Sequence, residues 1–137
     1  MTALEYVRAE DRLPEETAPP GGALDPALLV GTWFATDKEA AGVVRLELRQ
    51  QDGVLLVRAF GADPVQPNDW GEIEATAYGS SVAAEDAMAF SAMYDFGFLV
   101  TILAAYAKQG ILVLDTFNTF TDASGRSNYF SREFFHR

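Results

Sequence analysis

Between residues 42 and 60 apolar and polar side chains alternate, reverse across Gln51-Asp52-Gly53 and alternate again, as two half-buried strands of a hairpin do. The same texture recurs along the chain from Asp25 onward. It divides into eight strand-like segments: 30–36, 42–50, 54–60, 70–78, 87–94, 97–107, 111–120 and 127–135. Turn chemistry separates them, notably Gln109-Gly110 and the "TDASGR" of 121–126. Asp25 can cap, and Pro26 can start, a single helical turn, "DPALLV", ahead of the first strand. One segment conflicts with the scheme: "VAAEDAMAFSAM" (82–93) is rich in helix formers, and its first half could be helical. Eight consecutive strands on short links predict an all-β fold, an eight-stranded antiparallel up-and-down β-barrel over 25–137 that leaves no free edge. Residues 1–24 stand apart. "TALEYVRAEDRL" has room for two or three helical turns, but Pro14, Pro19, Pro20, Gly21 and Gly22 then break regular structure. The segment reads either as an arm or lid or as a mobile tail.

The turns fix which residues face one another. A two-residue turn at Asp52-Gly53 sets Glu47 opposite Arg58 and puts Val44, Leu46 and Leu48 on one face with Leu55, Val57 and Ala59. A four-residue loop from Asp122 to Gly125 sets Asp115 opposite Arg132, Phe117 opposite Phe130, Val113 opposite Phe134 and Thr119 opposite Asn128. Counting through Gln109-Gly110 adds Val100, Ile102, Ala104 and Tyr106 to that side. The other side carries Leu99, Leu103, Ala105, Leu112, Leu114 and Phe120 and is apolar as well. A barrel has one inside, and the sequence leaves open which face takes it. With the aromatic face inside, around a buried Asp115–Arg132 pair, the leucine face needs cover, and a homodimer through these strands supplies it.

A chain of 137 residues supports one core. It has no cysteine, which excludes disulfides, thiolate metal sites and a cysteine nucleophile. A formal net charge of −10 excludes nucleic-acid binding and disfavours anionic membranes. The start, "MTALEYVRAEDRLPEE", lacks the basic-then-apolar order of a secretion signal. The longest apolar run, 96–107, falls short of the roughly 20 residues of a membrane helix. A cytoplasmic protein is expected. His136 is the only histidine, so neither a metal site nor a Ser-His-Asp arrangement is expected, and "GADPVQPNDWGE" is no phosphate or dinucleotide loop. Glu72 and Glu74 fit a solvated strand face.

Gly31-Thr32-Trp33, following a short helical turn, together with Arg132 on the last strand, resembles the lipocalin and calycin group of eight-stranded barrels. The resemblance implies that Trp33 closes one end of the barrel and that Arg132 packs across it by cation–π attraction. The chain lacks that group's usual disulfide and long C-terminal helix, and looks more like small intracellular bacterial barrels. Some barrels of this kind are cofactor-free cyclases of polyketide biosynthesis, a likeness at the level of fold. It implies a hydrophobic ligand walled by Trp33, Phe98, Ile102, Phe117, Phe130 and Phe134, with Trp70, Met88 and Met93 near the opening and 61–69 as the mouth loop. Alanines such as Ala59, Ala75, Ala77 and Ala104 leave room. Arg132, Tyr106 and Asn128 are the groups expected to polarise a carbonyl, with Asp115 holding Arg132 or moving a proton. The expected role is a cofactor-free cyclase or isomerase of pericyclic type in natural-product biosynthesis. A non-catalytic carrier with the same pocket is the alternative, and an interaction module with a solid barrel is a third reading.

Overall fold

The eight alternating segments form eight strands. In the computed structural model, which describes residues 24–137, they are β1 (Gly31–Ala35), β2 (Val43–Gln51), β3 (Val54–Gly61), β4 (Asn68–Tyr78), β5 (Ala89–Asp95), β6 (Leu99–Lys108), β7 (Ile111–Phe120) and β8 (Tyr129–His136). Each strand pairs antiparallel with the next, and β8 pairs back onto β1, so the sheet is a closed barrel in sequence order. The arm assigned to residues 1–24 lies outside the described residues, Leu24 apart.

Turn chemistry sets the registers. Asp52 and Gly53 both take positive φ, 51° and 79°, as do Gln109 and Gly110 at 54° and 81°. Such paired left-handed residues give a tight hairpin whose twist matches its strands. The expected partners follow: Glu47 faces Arg58, Ile102 faces Phe117, Asp115 faces Arg132, and Phe117 faces Phe130. The β7–β8 ladder ends at Asn118 opposite Tyr129, so Thr119 and Asn128 do not pair. Two local expectations are corrected. A register shift between Val43 and Arg45 turns Val43 inward and leaves Val44 half-buried. No helix forms in 82–93. Backbone bonds from Met88 N to Tyr78 O and from Ala107 N to Met88 O lead the chain straight into β5, an instance of long-range pairing overriding helix propensity.

The larger correction concerns the inside of β6, β7 and β8. Leu103, Leu112 and Leu114 are fully buried, while Ile102, Phe117 and Phe130 are about half exposed. The leucine face is therefore interior, and the aromatic face with Asp115 and Arg132 is the outer surface. Closure dictates this parity. Trp33 points inward, so Ala35 two residues on does too; Ala35 pairs with Phe135, which is fully buried. Along β8 the inward set is then Phe135, Glu133, Ser131 and Tyr129, and Arg132 and Phe134 turn out. The face expected to be covered by a second subunit is covered by the barrel itself.

Pairing between β4 and β5 is confined to the three rungs from Thr76–Ser91 to Tyr78–Ala89. Beyond them Tyr94 spans the separation, its hydroxyl donating to Gly71 O at 2.7 Å and accepting from Ala59 N at 3.1 Å. Trp70 meets Tyr94 and Phe96 edge-on, with ring centroids 5.5 and 5.3 Å apart.

Candidate functional site

One end of the barrel is stoppered. Trp33 is completely buried, and its indole N–H donates to Leu29 O at 2.9 Å, fixing the ring against the turn that Pro26 begins. The guanidinium over that ring is Arg137, 4.3 Å from the ring centroid, and it donates to Val30 O at 3.0 Å. The expected Trp33–Arg132 packing is thus corrected. Arg132 turns outward on β8 and grips Asp115 through two bonds of 2.7 and 2.9 Å. The basic partner follows the last strand rather than lying within it.

The other end opens into a pocket of about 480 Å³, reached past the loops 36–42 and 62–67. Trp70, Phe96, Leu99 and Leu114 supply apolar wall. The remainder is a polar seam from three adjacent strands: Thr101 on β6, Thr116 and Asn118 on β7, Ser131 and Glu133 on β8. Their inward direction follows from the same parity that buries Leu103 and Leu114.

Within the seam Thr101 Oγ1 donates to Asn118 Oδ1 at 2.8 Å, and the Thr116 and Ser131 hydroxyls are hydrogen-bonded to each other. The first bond fixes the Asn118 amide with its nitrogen toward Thr116. That nitrogen makes only long contacts, 3.4 Å to Thr116 Oγ1 and 3.5 Å to Tyr129 O, which are weak as hydrogen bonds. Its donors are therefore open to a better acceptor. Glu133 has no hydrogen-bond partner among the described residues. Burial raises its pKa above the ordinary glutamate value, and the negative charge of Asp37 adds to the rise. The pocket thus holds a carboxyl whose neutral form is favoured, with hydroxyl and amide groups further along the same seam. Such an arrangement can bind a carbonyl and move a proton.

The residues expected at the site are dispersed over the barrel. Trp33 is the stopper and Trp70 lines the pocket. Tyr106, Asp115, Arg132, Met93, Ile102, Phe117, Phe130 and Phe134 are on the outer face, away from the pocket. Phe98 is exposed in the β5–β6 loop, with the Arg126 guanidinium 5.6 Å from its ring. Asn128 precedes β8 and accepts from Phe120 N at 2.9 Å, and Met88 lies at the stoppered end beside Tyr78. None of the four residues expected to be catalytic lines the pocket. Sequence reasoning missed Thr101, Thr116, Asn118, Ser131 and Glu133. Their signal was present in the β7–β8 register, which sets Thr116 opposite Ser131 on the unchosen face.

Glu72 is held by Arg49 through bonds of 2.7 and 2.6 Å on the outer surface. Among the described residues no cluster of three metal-type side chains occurs, and no helix is long and apolar enough to cross a membrane. The site defines the chain as a closed eight-stranded barrel, stoppered at one end by Trp33 and carrying an open, partly polar pocket at the other. No protein-family model matches the chain, nor does any curated protein or solved structure.

Proposed function

We propose that the barrel receives a small, largely apolar carbonyl compound through its open end and isomerises or cyclises it by proton transfer at Glu133. The observation that carries this reading is the Glu133 carboxyl, its pKa raised and without a hydrogen-bond partner among the described residues, in a pocket otherwise bounded by apolar wall and hydroxyl and amide groups. The volume of about 480 Å³ falls within the range of small-molecule sites. Thr116 and Ser131 lie one inward step from Glu133, about 7 Å along the strands, and Asn118 lies a further step away. A conjugated carbonyl held at the seam extends toward Glu133. The carboxylate removes a proton from a carbon acidified by that carbonyl and returns it to another carbon, so neither oxidant nor metal is consumed. Where ring closure is pericyclic, the walls contribute by holding the reacting ends together and the seam by polarising the carbonyl. The likeness of Gly31-Thr32-Trp33 to lipocalin-type barrels supports a hydrophobic ligand, and polyketide-derived polyenes are the class to try first.

The test uses fluorescence of Trp70, which lines the pocket, against a panel of conjugated polyenones, with product analysis of each bound compound. Binding with conversion, and binding without conversion in Glu133→Gln, is the expected result. Binding with no conversion by the native chain makes the protein a carrier and removes the catalytic part. No binding by any member removes both.

A further inference from the structure

The outer face of β5 to β8 differs from the rest of the barrel exterior. Three cross-strand rows make it: Ala89–Tyr106–Val113–Phe134, Ser91–Ala104–Asp115–Arg132 and Met93–Ile102–Phe117–Phe130. The first and third rows are apolar. The middle row carries one acid and one base, already bonded to each other. Across the barrel, the outer face of β2 to β4 presents Arg45, Glu47, Arg49, Arg58, Glu72 and Glu74. A chain with net charge −10 thus keeps one wide side free of net charge and covered with rings.

We propose that this side is the contact between two copies of the chain, packed face to face about a twofold axis. Met93, Ile102, Tyr106, Phe117, Phe130 and Phe134 are each between 37% and 59% exposed. At 150–250 Å² per large side chain they leave about 500 Å² of apolar surface on a patch four strands wide, large for the surface of a monomer. The alanine, serine and ion-pair atoms between them bring the face toward the about 800 Å² per partner of a standard stable interface. Charge selects the occupant. The patch is neutral with one acid beside one base, so a second copy is its complement, whereas a cationic partner would be drawn to the acidic remainder of the surface.

Charge also selects the orientation. When the twofold runs parallel to the strands between β7 and β8, Asp115 of each copy sits over Arg132 of the other, and the four groups form one network. An axis perpendicular to the strands would stack acid on acid. The same orientation sets the Phe117–Phe130 pair, with centroids 5.2 Å apart, against its counterpart.

Sedimentation of the 137-residue chain tests this. The native protein is expected at twice 14.9 kDa, and Phe130→Glu, an exposed position, at the monomer mass with unchanged circular dichroism. Phe117→Ser serves as the second variant if that one misfolds. Asp115→Arg and Arg132→Asp are each expected to be monomeric alone, because each puts like charges across the axis, and to associate when mixed. A native chain that stays monomeric at every concentration reached overturns the proposal, as does a mixture of the two charge variants that fails to associate. Variants that remain dimeric alone overturn it equally.

Discussion

Arg137→Ala should lower the melting temperature more than Arg132→Ala, although Arg132 makes the better ion pair. Arg137 lies 4.3 Å over the centre of a completely buried indole and donates to a backbone carbonyl, Val30 O, at 3.0 Å. A cation–π contact of this kind contributes about 0.5–1 kcal/mol at an exposed site. A hydrogen bond from a charged donor adds about 1 kcal/mol after exposure is discounted. Truncation also opens the outer side of Trp33 to water, giving a total cost of about 2 kcal/mol. For a chain of this size each kcal/mol shifts the midpoint by about 4 °C, so a fall of about 8 °C is expected. Arg132 holds Asp115 with two short bonds, but the pair lies on the outer surface with the guanidinium half exposed. Exposed pairs contribute about 0.5 kcal/mol, hence a fall of about 2 °C in the monomer. Thermal melts followed by circular dichroism decide between them. They should be run on the Phe130→Glu background, so that association does not enter the comparison. A larger loss for Arg132→Ala would refute the assignment of the stopper's basic partner.

Glu133→Gln should stabilise the protein while abolishing turnover. Because the folded-state pKa of Glu133 is raised, the ionised form costs stability. That cost is absent at acid pH, appears as pH rises through the ordinary glutamate value of 4.5, and levels off above the folded-state pKa. The gap between Glu133→Gln and native should therefore widen upward from that point; a constant gap in denaturant titrations from pH 4 to 8 would contradict the assigned environment. Tyr94→Phe removes the hydroxyl's bonds to Gly71 O on β4 and from Ala59 N on β3 and should cost about 2 kcal/mol by urea unfolding; a loss under about 0.5 kcal/mol would show that the hydroxyl does not hold these strands together. Leu103→Glu should unfold the chain rather than dissociate it, since Leu103 is fully interior. A folded Leu103→Glu monomer would reverse the assignment of inside and outside.

Much of the fold was legible because hairpin registers are local. Asp52-Gly53 and Gln109-Gly110 have few ways to turn, and each fixes a row of partners. The open question lay in the strands' phase relative to the barrel axis. Every hairpin from β5 to β8 can be turned inside out without breaking a single rung. The residues tying that block to Trp33 are Ala35 and Phe135, 100 residues apart in the sequence. Nothing local announces that pair. The bulge after Val43 was hidden for a similar reason, since "GVVRLEL" alternates equally well from either valine. Arg137 lay hidden because it stands beyond the last strand, where no alternation marks it.

The choice between the two faces turned on volume, and volume also explains the site. Trp33, Phe90 and Phe135 already fill the interior of an eight-stranded barrel toward its stoppered end, and such a barrel has little further room for rings. The convex outside has room, so the half-exposed phenylalanines of β7 and β8 stand there, and the smaller residues between them turn in. Those smaller residues include Thr101, Thr116, Asn118, Ser131 and Glu133, all at the open end. A barrel serving only as a packed solid gains nothing from a carboxyl there, because burial and Asp37 both act against its charge. Leucine at that position would pack against Leu114, its cross-strand neighbour, and incur neither penalty. A carboxyl whose charge is disfavoured, retained in one pocket with a hydroxyl pair and an amide with open donors, is the arrangement of a site that does chemistry.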